Sequence, residues 1–228
     1  MALFRAIDAR DDLETARLLD SSRELAFDPL RVGASREDAK THFLVAIRHY
    51  AYGGDTALHI AAAAYRRELA ELLVARGADV RARNRRGAEP LHYAADGGPG
   101  GERWDPVAQV EVITYLIAAG ADPNALDNSG VAPLHRAVRT RSGAAVSALV
   151  ENGAAAQLMN KTGSTPLHLA VQTTGRSGSG SAGAKDEQGR IIATLLAHGA
   201  SPTDADATGK TVEAAASSDW VRALLGTG

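Results

Sequence analysis

One phrase recurs along the chain in a fixed register, and that repetition limits the folds open to it. "GDTALHIAAA" begins at Gly54, "GAEPLHYAAD" at Gly87, "GVAPLHRAVR" at Gly130 and "GSTPLHLAVQ" at Gly163; a degraded copy, "GKTVEAAASS", begins at Gly209. The intervals between these glycines are 33, 43, 33 and 46 residues. A second marker, "GADV" at Gly77, "GADP" at Gly120, "GAAA" at Gly153 and "GASP" at Gly199, precedes the next phrase by 10 residues every time. The extra residues of the long intervals therefore all fall between the histidine phrase and the second marker. A period of this size marks stacked supersecondary units, none of which can bury its apolar face alone.

Within a unit the residues spell helix, turn, helix, loop. Thr165 suits an N-cap, where its hydroxyl accepts from a first-turn N–H, worth about 1 kcal/mol. Pro166 suits the first helical position, where no N–H is needed and φ is already set. A second helix carries apolar residues at helical spacing: Leu69, Leu73 and Val74; Val112, Leu116 and Ile117; Val146, Leu149 and Val150; Ile191, Leu195 and Leu196. These predict the core. Gly77, Gly120, Gly153 and Gly199 then stand where a left-handed C-terminal cap is needed.

The period and the "TPLHxAA" phrase resemble the ankyrin repeat, and "GADPNALDNSG" at 120–130 resembles that family's hairpin finger. The resemblance covers about 54–225, and the whole chain resembles a widespread group of bacterial ankyrin-repeat proteins. It implies an all-α solenoid of helix-turn-helix units with hairpin fingers, four full repeats between N- and C-terminal caps. It also implies binding of macromolecular partners on the concave surface of fingers and first helices. The phrase histidine, in that family, hydrogen-bonds backbone groups and ties neighbouring repeats together.

The expected organisation is a single domain, 1–228. Residues 1–53 form an N-terminal cap, 54–86, 87–129, 130–162 and 163–208 the repeats, and 209–228 a C-terminal cap. In the first cap, Leu3, Ile7, Leu13, Ala16 and Leu19 are expected to face the first repeat. The cap carries an insertion at 23–53, where Ser35 and Asp38 suggest a helix start and "AKTHFLVAIRHY" (39–50) an additional helix. Further insertions lie at 97–108, with Gly, Pro and Trp104, and at 173–188, a Gly/Ser-rich stretch that reads as a flexible loop.

Composition narrows the function classes. The absence of cysteine removes thiol catalysis, thiolate metal sites and disulfides. A net charge of −2 provides no global field toward nucleic acid or membrane, so any such contact needs a local patch. No apolar run approaches a membrane span or a signal-peptide core, which predicts a soluble, cytoplasmic protein.

His59, His92, His135 and His168 occupy one position in four repeats. Neighbours are then about a repeat apart, roughly 10 Å for packed helices, whereas zinc ligands must all lie within about 2 Å of one metal. They read as structural, with no metal and no cofactor implied. "GSGSAG" at 178–183 satisfies the dinucleotide spacing but follows a helix rather than a strand. "GKT" at 209–211 lacks the glycine that a phosphate loop requires at position 204, where Asp204 stands. Asp79, Asp122, Asp127 and Asp206 suit turn hydrogen bonding.

The first finger, "VRARNRRGAE", places Arg81, Arg83, Arg85 and Arg86 within six positions, where later fingers carry Leu126, Asn128 and Ser129, or Met159, Lys161 and Thr162. The scaffold does not demand arginine there. A solvated charged loop and an anion-recognising patch both fit, since guanidinium forks suit carboxylate and phosphate. Arg136, Arg139 and Arg141 would extend such a patch along the first helices. Trp104 is either a partner anchor or, the favoured reading, a lid on its own repeat. The expected function is non-catalytic binding of a protein through Arg81, Arg83, Arg85, Arg86, Asn128, Ser129 and Lys161, followed by Tyr65, Asp96, Arg139 and Arg141. The alternative is a nucleic-acid or phosphate binder using the arginine finger. An enzyme built on the insertions, with His42 and His49 as first suspects, is the third class.

Overall fold

The computed structural model describes residues 1–98, 104–172, 182–216 and 218–226. Among the described residues twelve α-helices, paired in chain order, and little strand build an all-α solenoid of helix-turn-helix units. Its residues gather into two compact units, Met1–Ala95 with Gly101–Asp122, and Asp96–Gly100 with Pro123–Gly228.

The first unit opens with α1 (Ala2–Ala9) and α2 (Asp12–Ser21). Asp11 caps α2 through its side chain, accepting from Glu14 N–H at 2.9 Å. Leu3, Phe4 and Ile7 of α1 are buried, and Thr15 and Leu19 supply the buried face of α2. Leu13 and Ala16, expected on that face, are exposed. Leu13 lies six residues before Leu19, which at 3.6 residues per turn points it away from the side Leu19 buries. Two short pairs follow, α3 (Ala57–Ala63) with α4 (Arg67–Ala75), and α5 (Pro90–Ala95) with α6 (Pro106–Ala118). Ion pairs from Arg66 to Asp12 (2.6 Å) and from Arg76 to Asp20 (2.8 Å) run between the two ends of α4 and α2.

The insertion at 23–53 is not the additional helix that 39–50 suggested. It contains 3-10 turns at Arg23–Ala26 and Lys40–His42, then a hairpin of β1 (Phe43–Leu44) against β2 (His49–Tyr50). Ser35 Oγ does cap a turn, accepting from Glu37 and Asp38 N–H, but no helix propagates. The reason is a period-2 pattern: Leu44 is buried, Val45 is exposed, and the Phe43 ring packs across the strands on Tyr50 with centroids 4.8 Å apart. The segment is fastened to α1 by Ile47 N–H on Asp8 Oδ1 (2.9 Å) and to the first repeat by Leu30 N–H on Asp55 O (2.7 Å), and it closes on itself through Ala34 N–H on Ala51 O (2.7 Å). Gly33 permits this approach; a Cβ there would stand 2.3 Å from the backbone of Tyr52 and Gly53.

The second unit holds α7 (Pro133–Arg139) and α8 (Gly143–Glu151), α9 (Pro166–Ala170) and α10 (Ala182–Ala197), and a closing pair, α11 (Val212–Ala215) and α12 (Asp219–Leu224). Pro166 begins α9 and Thr165 caps it, its hydroxyl taking His168 N–H at 3.4 Å. Across both units the second helices bury Leu69, Leu73, Val112, Leu116, Val146, Leu149, Ile191 and Leu195. Val74, Ile117 and Leu196 are only half-buried, at the edge of that stripe. Gly77 takes φ 101°, the left-handed cap its position requires.

The turns within the first five helix pairs come in two kinds. Where no insertion intervenes, a left-handed residue closes the turn: Arg10 (φ 58°), Tyr65 (φ 54°) and Arg141 (φ 62°). Where insertions intervene, a buried glutamine of the second helix takes over. Gln109 donates to Ala94 O at 2.8 Å, and Gln188 to Ala170 O at 2.6 Å and Gln172 O at 2.8 Å. These carbonyls end the preceding helix and lack partners within it. Of the stretch 173–188, read from the sequence as a flexible loop, residues 182–188 instead open α10; residues 99–103 and 173–181, the latter holding the rest of that stretch and most of "GSGSAG", lie outside the described residues.

Candidate anion-binding surface on the first finger

Each finger is shaped by one Asn or Asp three residues before its glycine. Asn84 Oδ1 accepts from Arg86 and Ala88 N–H; Asp127 Oδ1 from Ser129 and Val131 N–H; Asn160 Oδ1 from Thr162 and Ser164 N–H; Asp206 Oδ1 from Thr208 and Lys210 N–H. All these bonds are 2.8–3.1 Å. The turn is thus the same in four fingers, and the side chains just after the Asx residue are free to vary.

The phrase histidines lock the base of each finger. Nδ1 accepts the backbone N–H of the residue three before it, Thr56, Glu89, Ala132 or Thr165, at 3.1–3.2 Å. Accepting there leaves the ring proton on Nε2, which in three cases reaches the carbonyl just after the next finger's glycine. His59 meets Ala88 O (3.1 Å), His135 meets Ser164 O (3.2 Å) and His168 meets Lys210 O (3.2 Å). Burial pushes the His135 pKa down, against the pull of the Ser164 carbonyl. Among the described residues no group of three or more His, Asp or Glu is placed to hold a metal ion.

In the first unit the finger rests on a buried carboxylate. Asp55, wholly buried, accepts from Tyr93 Oη (2.8 and 2.9 Å), Asn84 Nδ2 (2.8 Å) and Tyr52 N–H (2.6 Å). Asn84 in turn shapes the turn bearing Arg85 and Arg86, so Asp55 fixes both the finger and the return of the insertion. Tyr93 stacks on His49, centroids 4.3 Å apart. No sequence motif marks Asp55, Asn84 and Tyr93 as a cluster. The available signal was a tyrosine after the phrase histidine, where other units have Ile60, Arg136 and Leu169.

The predicted site residues divide. Arg81, Arg83, Arg85 and Arg86 are at least partly exposed. Arg81 lies 3.7 Å from Asp122. Arg85 donates to Ala34 O of the insertion, and its guanidinium and that of Arg86 lie over the Tyr52 ring, 5.5 and 4.6 Å from the centroid. Two cavities adjoin Arg85. One, about 400 Å³, is bounded by Ser35, Arg36, Tyr50, Tyr52, Arg85 and Arg86 among others. The other, about 540 Å³, is bounded by Arg31, Ser35, Asp38, Arg83 and Arg85 among others. Sequence reading missed the contribution of Arg31 and Arg36, which the hairpin insertion brings to the finger.

In the second unit Asn128, Ser129 and Lys161 are at least partly exposed, with Lys161 Nζ on the carbonyl of Asn128. Arg136 does not extend a basic patch: it is largely buried and paired with Asp96 (2.8 Å) and Asp127 (3.1 Å). Asp96 also faces Arg139 at 3.6 Å, so its charge is spent within the unit. Arg141 caps α9, donating to Ala170 O (3.0 Å) and Gln172 O (2.9 Å). Arg139 stays well exposed, and Tyr65, in its turn, is half-buried. Trp104, half-buried, donates Nε1–H to Gln109 Oε1 at 3.1 Å, folded on its own repeat. His42 is buried, with Nδ1 against Asp38 O (3.1 Å) and Thr41 Oγ1 (3.0 Å). Among the described residues no helix is long and apolar enough to cross a membrane.

A family model for ankyrin repeats, in three copies, matches residues 30–101 and 107–179, more than half of the chain. No curated protein matches it. With the repeated finger, the histidine lock and the paired helices, the chain belongs to the ankyrin-repeat family, whose repeats are generally protein-interaction modules.

Proposed function

We propose that this protein is a non-catalytic, cytoplasmic binding module that engages a protein partner through its finger turns and first helices. Arg81, Arg83, Arg85 and Arg86 supply the contacts in the first unit; Asn128, Ser129, Lys161 and Arg139 supply them in the second. The observation that supports this most is the set of solvent-facing arginines on one finger. The same Asx turn recurs with Asn128 and Ser129, or with Lys161 and Thr162, so the turn itself asks for no arginine. Exposed charge beyond what a turn requires is better accounted for by recognition than by folding. Affinity capture from the native organism tests it. A variant with the four arginines changed to Ala should lose proteins that the wild type retains; equal recovery would remove the finger from the binding surface.

The same arginines favour a second reading, in which the finger binds nucleic acid or another phosphate-bearing ligand. Affinity would then fall steeply between about 50 and 200 mM salt, as expected when several phosphates are neutralised. A flat salt response would eliminate it.

A further inference from the structure

The insertion at 23–53 changes what the arginine finger can recognise. By itself the finger is an exposed turn. With the insertion folded back on it, Arg36 lines one of the two cavities beside Arg85 and Arg31 lines the other. Five guanidiniums then border a region whose one carboxylate, among the described residues lining it, is Asp38. Among the described residues none of Arg31, Arg36 and Arg86 forms an ion pair with a carboxylate, and all three are exposed. Arg86 is held by stacking on Tyr52, and Arg85 by Ala34 O, so part of the ordering cost of these side chains is already met. Tyr50, 39% exposed, adds an apolar wall to one cavity.

We propose that the two cavities flanking Arg85 receive acidic side chains of an extended protein segment, one set between Arg36 and Arg86, the next between Arg31 and Arg83. The proposal deepens the binding-module reading and rests on it in taking the partner to be a protein. Guanidinium forks pair carboxylates through two parallel hydrogen bonds, and cavities of this size each admit a side chain or two. An acidic segment fits better than a nucleic-acid strand. These five guanidiniums form a cluster on one finger and its insertion, and the chain carries a net charge of −2. A phosphate backbone needs a cationic track rather than a cluster.

The test measures fluorescence anisotropy of a fluorescein-labelled oligoglutamate peptide with the full chain, at about 50 mM salt, where exposed charges are little screened. Wild type should bind. Arg31→Ala with Arg36→Ala should weaken binding about tenfold or more, as for loss of two charge-assisted contacts. Arg86→Ala should do likewise, and Arg17→Ala, at an exposed residue of α2 outside the proposed binding surface, should leave it unchanged. Thermal melts matching wild type would show that these exposed substitutions spare the fold. No peptide binding, or equal binding by the Arg31/Arg36 variant, overturns the proposal. So does a labelled oligothymidylate that binds as tightly through the same arginines, which would give the site to a phosphate backbone. The two readings fail separately. Arginine-dependent capture without peptide binding removes the cavities alone, whereas peptide binding without such capture removes the module reading and keeps the site.

Discussion

The hydroxyl of Tyr93 lies 2.8 and 2.9 Å from the two oxygens of the Asp55 carboxylate and donates to them, with no water-accessible surface left on Asp55. A buried carboxylate is tolerable only when its lone pairs are filled. Tyr93→Phe keeps the ring on His49 but strands part of that charge. The expected cost is about 1.5–3 kcal/mol, the range for losing a buried hydrogen bond to a charged group. Urea denaturation would measure it, and a loss under about 0.5 kcal/mol, within the range of an ordinary surface change, would show that Asn84 and Tyr52 N–H satisfy Asp55 without help.

Arg136 presents the converse case, a buried cation between two carboxylates. Arg136→Met should destabilise by about 3–5 kcal/mol, because Asp127 loses its cationic partner and Asp96 keeps only the exposed Arg139. Adding Asp96→Asn and Asp127→Asn should restore much of the loss. Asparagine suits the second position, since Asn84 and Asn160 shape the same turn in other fingers. Burial alone would raise the Asp127 pKa, but Val131 and Ser129 N–H and the Arg136 guanidinium together hold it below its ordinary value. Its contribution is therefore present above the unfolded carboxyl range and is lost as pH falls through the depressed folded value. Wild type should show this acid-limb loss of stability, and the triple variant less of it.

His135 should remain neutral where a free imidazole is half charged. Its folded pKa is lowered by burial, so the unfolded state binds the proton more readily. Stability from this group is complete above the unfolded pKa of about 6.5 and declines as pH drops from there toward the folded value. Long-range ¹H–¹⁵N spectra should show the Nε2–H form of His135 with a midpoint below that of a free histidine. A midpoint at or above it would contradict the burial that keeps the ring neutral.

Glu89 occupies the N-cap position held by Thr56, Thr165 and Thr211 in other units. It is 2% exposed, and its Oε2 has no hydrogen-bond partner among the described residues. Burial raises its pKa, although Arg81 and Arg83 pull the other way. The folded state thus favours the proton, so this group's contribution weakens as pH rises from the unfolded carboxyl range through the raised value. Glu89→Thr should stabilise the protein by about 1 kcal/mol at neutral pH, the usual worth of a good cap. Chemical denaturation would detect it, and a destabilised variant would mean that Arg81 and Arg83 depend on the carboxylate.

Much of the scaffold was legible because it is local. Pro166, Thr165 and Gly77 each act within a few residues of themselves, and a repeated phrase exposes such roles by aligning them. The arginine finger was legible for the same reason, as a departure from its neighbours. Two readings went astray where contacts are distant. "FLVAIRHY" reads as helical by apolar content, yet Tyr50 packs on Phe43 and Asp8 holds Ile47, so a hairpin results. Arg136 and Arg141 read as surface charge, but Asp96 and the end of α9 claim them.

What the sequence determined by itself is the unit: its period, its caps, its turn chemistry and the register of its histidines, all set by interactions over a handful of residues. Only the tertiary structure decided which charges remain available to a partner. A guanidinium is long, and whether it meets a carboxylate, a carbonyl, a ring or water depends on segments far away in the chain. Arg31 and Arg86, 55 positions apart in sequence, border adjoining cavities because Asp55 and Gly33 hold the insertion against the finger.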